Sequence, residues 1–149
     1  MFAAIRPDDW DLPLLVHVAG AMLLVAAVVV TAAVMGAALR RDDGTAVLTR
    51  LAFRSLLLGV IPAYVVMRAG AEWIASKENA PDDASWVGLG RSIADGGLLL
   101  ALVATLLAWR STRRADGDPG WPMRAAAILC TLLLVGYVVA IWAMTTKPS

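Results

Sequence analysis

Four charged residues form two pairs that mirror each other about a short polar stretch: Arg68 with Glu72, and Arg91 with Asp95. An antiparallel helical hairpin that turns near residues 79–84 would place Arg68 beside Asp95. The same register would place Glu72 beside Arg91. Charges near a membrane core are costly, so they usually face a protein interior and have partners. These four residues, the ionic cluster, could hold two helices together or bind a lipid headgroup, a small solute or a proton.

Two further side chains belong to the same candidate binding region. Tyr64 precedes Arg68 by one helical turn, where its hydroxyl could deepen a polar pocket or be an ordinary buried group. His17 is the only histidine of the chain, and a histidine inside a membrane can carry protons or bind a metal or haem. Zinc and copper sites normally need three or more ligands. We therefore expect His17 to be a hydrogen-bonded packing residue, and we expect no metal or other cofactor.

The sequence carries no motif that indicates an enzyme. It contains no phosphate-binding Walker loop, no Ser-His-Asp set and no paired-histidine motif. The single cysteine, Cys130, lies inside an apolar segment and cannot form an internal disulfide. We therefore predict no catalytic residue.

The elements that position these side chains follow from the composition. Sixty per cent of the 149 residues are hydrophobic, against about 45–50% in soluble domains. The apolar residues fall into four blocks, each near the ~20 residues needed to cross the hydrocarbon core of a bilayer. The sequence predicts an all-α polytopic membrane protein, a single domain over 1–149 that folds as a four-transmembrane-helix bundle. The predicted helices cover about 12–39, 51–75, 87–109 and 124–146.

The distribution of charge predicts an orientation. Eight of the 13 basic residues lie in or beside the two links that join helix 1 to helix 2 and helix 3 to helix 4. They are Arg40, Arg41, Arg50, Arg54, Arg110, Arg113, Arg114 and Arg124. Acidic residues instead concentrate before helix 1 and in the central loop. By the positive-inside rule, the arginine-rich links are cytoplasmic and both termini lie outside the plasma (inner) membrane.

Membrane depth makes different demands on the four charges. Counting about 20 residues from Arg50 puts the outer boundary near Arg68, and counting back from Arg110 puts it near Arg91 on helix 3. Asp95 then lies about one turn inside that boundary, roughly 6 Å deep. Long arginine side chains can extend outward to the interface, whereas aspartate is too short to do so. Asp95 therefore needs a partner most, and we expect Arg68 to be that partner.

Small residues and a proline predict how the helices pack. In helix 1, Ala32-x3-Gly36 has a spacing that lets helix backbones approach closely. In helix 2, Pro62 cannot donate to the carbonyl of Leu58, so a kink is expected near Gly59. Such a break is common in membrane helices and, in some transporters, forms a transport site.

A shift of 73 residues indicates an internal repeat. It aligns Arg40-Arg41-x-Asp43-Gly44 with Arg113-Arg114-x-Asp116-Gly117, and Tyr64-Val65-Val66 with Tyr137-Val138-Val139. Both halves would have the same orientation, which is the pattern of a parallel two-plus-two repeat. The ionic cluster is not part of the repeated sequence.

Two short patterns carry a family resemblance. Helix 1 opens with Leu14-Leu15-x-His17-Val18-x-Gly20, and the chain closes with Trp142-x-Met144-Thr145-Thr146-Lys147-Pro148. Together they resemble small actinobacterial four-helix integral membrane proteins of unknown function, which implies four helices and no assigned activity. The opening is also distantly similar to the helix-1 histidine of copper-resistance D-type membrane domains, which implies copper or haem chemistry.

Three functions are compatible with these features. The first is a non-enzymatic accessory or assembly subunit, in which the ionic cluster fixes the packing of helices 2 and 3. The second is a small proton-coupled transporter, or a binder of lipid headgroups or small solutes, that uses the same four charges. The third is a haem or copper redox subunit built on His17. Expected partners are the lipid bilayer and either other membrane subunits or further copies of the chain; no nucleic acid is expected.

Overall fold

The computed structural model describes residues 11–41, 44–78, 85–114 and 120–145, and these form four long helices with no strand among them. Helix 1 is Asp11–Arg40, helix 3 is Ser85–Thr112 and helix 4 is Gly120–Thr145. Helix 2 is continuous, with an α-helix at Thr45–Ser55, a π-helical turn at Leu56–Val60 and an α-helix at Ile61–Glu78. All four are long and apolar enough to cross a membrane. The all-α, four-helix prediction is confirmed for this part of the chain.

Several predicted features lie outside the described residues or side chains. They are the turn near 79–84, the acids before helix 1 and in the central loop (Asp8, Asp9, Asp82 and Asp83), the repeat residues Asp43, Asp116 and Gly117, and the closing residues from Met144 onward.

Helix 2 begins earlier than the sequence predicted. The prediction started it at residue 51, whereas the helix starts at Thr45, directly after Gly44 in the left-handed conformation with φ 74°. Thr45 is buried, and its hydroxyl donates a hydrogen bond to the Arg41 carbonyl at 2.9 Å. Arg50 therefore lies on the first turns of the helix and not in the link, because an exposed arginine does not end a helix whose other face is buried.

The core is built from residues spaced three and four apart, which is the repeat of left-handed helical bundles. In helix 3 the buried positions are nearly all small: Ala94, Gly97, Ala101, Ala104, Ala108 and Ser111. In helix 4 they are mostly larger: Met123, Ala126, Cys130, Leu133 and Tyr137. The small face of helix 3 thus receives the larger side chains of helix 4.

The break predicted in helix 2 takes the form of one π-helical turn. The N–H of Ile61 donates to the carbonyl of Leu56, five residues earlier. Pro62 has no N–H for the carbonyl of Leu58, so a regular α-helix would lose a hydrogen bond here. A wider turn absorbs one extra residue while the helix continues.

Helix contacts define a four-membered ring in the described part of the chain. Helix 1 packs most extensively on the last segment of helix 2, and helix 3 packs most extensively on helix 4. Helix 1 also contacts helix 4, and helix 3 contacts helix 2, which closes the ring. One end of the bundle carries the ionic cluster and is here called the cluster end. The other carries the arginine-rich links and is called the arginine end.

The closest backbone approach is not at the predicted small-residue motif. A Cβ built on Gly36 would meet nothing within 4 Å. A Cβ on Gly20 would instead lie 2.6 Å from the Met67 nitrogen, and one on Gly70 would lie 2.5 Å from the His17 nitrogen. Helices 1 and 2 therefore touch at the cluster end, where each helix contributes a glycine to the contact.

Candidate functional site

The ionic cluster is assembled from the facing sides of helices 2 and 3. Arg68 is its centre: its Nη2 lies 2.9 Å from Glu72 Oε1 and 3.4 Å from Asp95 Oδ1. Arg91 Nη2 lies 3.6 Å from Glu72 Oε2. Both contacts between helices that the mirrored spacing predicts are therefore present. The i,i+4 contact of Arg68 with Glu72 coexists with them, so one guanidinium joins two carboxylates.

The exposure of the four side chains differs from expectation. Asp95 was expected to depend most on burial with a partner, yet its side chain is 61% exposed, against 26% for Arg68. Glu72 and Arg91 are 49% and 43% exposed. The reason lies in the phase of helix 3, because Ala94 and Gly97 face the core and Asp95 is turned about 100° from Ala94. The carboxylate therefore lies on the outer surface of the bundle.

Helices 2 and 3 are joined unevenly along their length. Helix 3 packs more extensively on the short first segment of helix 2, Thr45–Ser55, than on the longer last segment, Ile61–Glu78. A Cβ on Gly96 would meet nothing within 4 Å. At the cluster end the ionic cluster, more than close packing of the backbones, links the two helices.

Two tyrosines lie below the cluster in the core. Tyr64 is 4% exposed, and its hydroxyl is within electrostatic range of Arg68 and Asp95. Tyr137 of helix 4 is within the same range of Tyr64. The Tyr137 hydroxyl is buried and has no hydrogen-bond partner among the described residues; it would lie 3.1 Å from a Cβ on Gly97.

Tyr137 was missed as a site residue, although a signal was present in the sequence. The 73-residue shift aligns it with Tyr64, which lies one helical turn before Arg68. Its hydroxyl, without a partner among the described residues, contrasts with the threonines of the same bundle. Thr31 and Thr105 donate to the carbonyls of Ala27 and Ala101, each at 2.7 Å.

His17 lies in a different contact, between helices 1 and 2. Its Nδ1 is 3.0 Å from the Met67 carbonyl oxygen. A carbonyl only accepts hydrogen bonds, so Nδ1 carries the proton and donates. The described contacts of His17 are with Met67 and Gly70, and not with the ionic cluster. Within the described ranges no three His, Cys, Asp or Glu side chains are close enough together to hold a metal ion.

The chemistry open to this site is recognition by charge and hydrogen bonding. Arg68 and Arg91 offer planar donors to oxygen anions. Asp95 and Glu72 keep exposed carboxylate oxygens that accept hydrogen bonds from outside the chain.

Comparison with known proteins identifies no relative of this chain. No protein-family model, no curated protein and no solved structure matches the chain.

Proposed function

We propose that this chain is a multi-pass protein of the plasma (inner) membrane, with both termini outside and the arginine end in the cytoplasm. Large apolar side chains are exposed on all four helices, among them Leu23, Leu58, Leu99 and Val138. A soluble monomer rarely exposes contiguous apolar surface on this scale. Exposed tryptophans lie near both ends, which fits two membrane interfaces.

We further propose that the chain is a non-enzymatic accessory or assembly subunit that uses the ionic cluster in two ways. The observation that carries this function is the arrangement around Arg68, which binds one carboxylate on its own helix and one on helix 3. The arginine fixes the cluster end of helices 2 and 3. The exposed oxygens of Asp95 remain available to a polar or basic group of a neighbouring subunit.

Photo-crosslinking in native membranes tests the subunit function. A photoreactive residue at Gly96, beside Asp95 and facing open space, should give one discrete protein adduct, and Asp95→Ala should abolish it. An adduct of twice the chain mass would identify the neighbour as a second copy. The same probe at exposed Leu23 of helix 1 serves as the control. Only lipid adducts at Gly96, or the same adduct from Leu23, would contradict the proposal.

A second candidate function is proton-coupled transport or binding of a headgroup or small solute at the cluster. The Tyr137 hydroxyl favours it: this hydroxyl finds no partner in the described part of the chain, and a buried polar group without a partner often marks a place for water or a ligand. In vesicles loaded with a pH-sensitive dye, an acid pulse should then drive proton entry that Asp95→Asn abolishes and Asp11→Asn preserves. Equal flux in vesicles without protein would dismiss the transport form of this function.

We also propose that the bundle is a two-plus-two repeat. Under the 73-residue shift, every buried position of helix 1 from Leu24 onward falls on a buried position of helix 3. The pairs are Leu24 with Gly97, Val28 with Ala101, Thr31 with Ala104, Met35 with Ala108 and Ala38 with Ser111. Val60 and Tyr64 likewise fall on Leu133 and Tyr137.

The π-helical turn accounts for the one shift in this pattern. Before the turn, the buried positions of helix 2 match buried positions of helix 4 with a shift of 74 residues instead of 73. Ala52 then falls on Ala126, and Leu56 falls on Cys130. The turn is then a one-residue insertion relative to helix 4. Deleting Leu57 should leave the buried faces in phase and the protein folded, whereas deleting Val65 should prevent folding. Equal damage from the two deletions, measured as monodisperse protein after purification, would contradict the repeat.

A further inference from the structure

A second polar region lies at the arginine end, where helix 3 ends and helix 4 begins. A cleft of about 360 Å³ opens there. It is lined by Trp109, Arg110, Arg113, Arg114, Trp121 and Pro122, and is called the arginine cleft. It shares no residue with the ionic cluster.

Among the residues that the structure describes, the charge of the arginine cleft is one-sided. Three guanidinium groups line it, and none of its described lining residues carries a carboxylate. The two acids of the adjoining link, Asp116 and Asp118, lie outside the described residues. Arginines at the end of a helix are favoured by the helix dipole. That preference explains one or two of them, but not their convergence between two tryptophans.

Arg113 is placed so that its donors stay available. The guanidinium carbon of Arg113 lies 4.1 Å from the centroid of the Trp109 ring. Stacking uses the face of a guanidinium and leaves the N–H groups at its edge free to bind an anion. Arg114 packs against Gly120, the first residue of helix 4.

We propose that the arginine cleft binds the phosphate of an anionic phospholipid headgroup. Arginine matches the geometry of phosphate oxygens and stays charged at all relevant pH values. Basic pockets between helices at the cytoplasmic interface are suited to anionic headgroups. Trp109 and Trp121, 39% and 63% exposed, supply the amphipathic rings that lie at headgroup level.

A second cavity, which shares no lining residue with the arginine cleft, favours a phospholipid over a free phosphate. It also measures about 360 Å³ and runs along the next turns of helix 4. It is lined by Leu39, Arg124, Ala127, Ile128, Thr131 and Leu132. Apart from Arg124 and the Thr131 hydroxyl, this lining is apolar, as an acyl chain requires. A soluble anion would make no use of it.

Native mass spectrometry of the detergent-purified full chain tests the proposal. The chain is titrated with dioleoyl phosphatidylglycerol and, separately, with the zwitterionic dioleoyl phosphatidylcholine. We expect the triple variant Arg110→Gln/Arg113→Gln/Arg114→Gln to weaken binding of phosphatidylglycerol by about tenfold or more. The matched control is Arg40→Gln/Arg50→Gln/Arg54→Gln, which removes the same charge at the same end, and it should change binding by less than about twofold.

Three results would overturn the proposal. An equal loss of phosphatidylglycerol binding in both triple variants would mean that the lipid is attracted to basic residues in general and not to the cleft. Equal affinity of the wild type for the two lipids would exclude an anionic headgroup. Displacement of the lipid by inorganic phosphate at the same concentration would assign the cleft to a soluble anion.

A wild-type measurement keeps the test decisive if the triple variant does not fold. A photoactivatable phosphatidylglycerol should label the peptide covering residues 109–124, and labelling confined to other peptides would contradict the cleft. The inference needs the membrane location proposed above but not the ionic cluster. Failure here leaves the crosslinking result at Gly96 unaffected.

Discussion

The two sides of helix 2 make contrasting contacts at the same end of the bundle. Met67 and Gly70 face helix 1, where glycines bring the backbones together and one hydrogen bond joins His17 to the Met67 carbonyl. Arg68 and Glu72 face helix 3, where the helices pack less and two ion pairs link them, Arg68 with Asp95 and Glu72 with Arg91.

The contrast indicates which contact sets the fold and which is free for function. A backbone contact through glycine tolerates almost no added volume, because interiors are close-packed. Ion pairs between exposed side chains contribute little stability and rearrange easily. We therefore infer that the helix 1–helix 2 contact is structural, whereas the helix 2–helix 3 contact keeps groups available for recognition. The following substitutions test this difference.

The largest effect is expected from Gly70→Ala. The new methyl group would overlap the backbone of His17, so helices 1 and 2 must separate, at a cost of about 1–3 kcal/mol. The measurement is the free energy of unfolding in mixed micelles. Gly36→Ala is the matched control, since its methyl group meets nothing within 4 Å and alanine favours helix by up to about 1 kcal/mol. If both substitutions lowered the free energy of unfolding by similar amounts, the helix 1–helix 2 contact could not be called tighter than the helix 2–helix 3 contact.

A smaller effect is expected from charge reversal in the ionic cluster. Arg68→Asp places three carboxylates together and should cost about 1 kcal/mol, the upper range for partly exposed pairs. Adding Asp95→Arg should restore part of that loss, because the pair re-forms with exchanged signs. Unfolding of the single and double variants gives the coupling energy. A coupling of zero would show that the ion pairs add no stability to the contact.

The hydrogen bond of His17 should contribute about 0.5–1 kcal/mol. His17→Ala removes it, while His17→Asn keeps a donor near the position of Nδ1 and His17→Gln does not. We expect the asparagine variant to be the most stable of the three in the same unfolding assay. If glutamine were the better replacement, the other ring nitrogen would be the functional one, and a Soret band or bound copper in purified protein would then be worth measuring.

The smallest effect is expected from Tyr137→Phe. Removing a buried hydroxyl without a partner should leave stability unchanged or raise it by up to about 1 kcal/mol. Tyr64→Phe is the control beneath the same cluster. A clear loss of stability in Tyr137→Phe but not in Tyr64→Phe would mean that water or a solute occupies the space beside Gly97. That result would support the binding function of the cluster.

The ion pairs between helices 2 and 3 could be predicted from the sequence, because they follow from the mirrored spacing of the four charges. The pairing of Arg68 with Asp95 depends only on an antiparallel hairpin and its register, and both follow from two apolar segments joined by a short loop. Sequence reasoning failed on the exposure of Asp95, because exposure depends on how helix 3 is rotated against helix 4. It also placed the close helix contact at Ala32-x3-Gly36, whereas the contact lies at Gly20 and Gly70, since small-residue spacing shows that a close approach is allowed but not where a partner helix lies.

By itself the sequence determined that there are four apolar helices, which end of each carries charge, and which charges meet. These properties follow from hydrophobicity, chain length and period, and all of them are local. Only the tertiary structure decided that helix 2 packs tightly on helix 1 through Gly20 and Gly70 and that it meets helix 3 loosely. It also decided that the Tyr137 hydroxyl is buried with no partner among the described residues. Those outcomes depend on the rotation and separation of whole helices, which are set by the sum of many weak contacts and by no single motif.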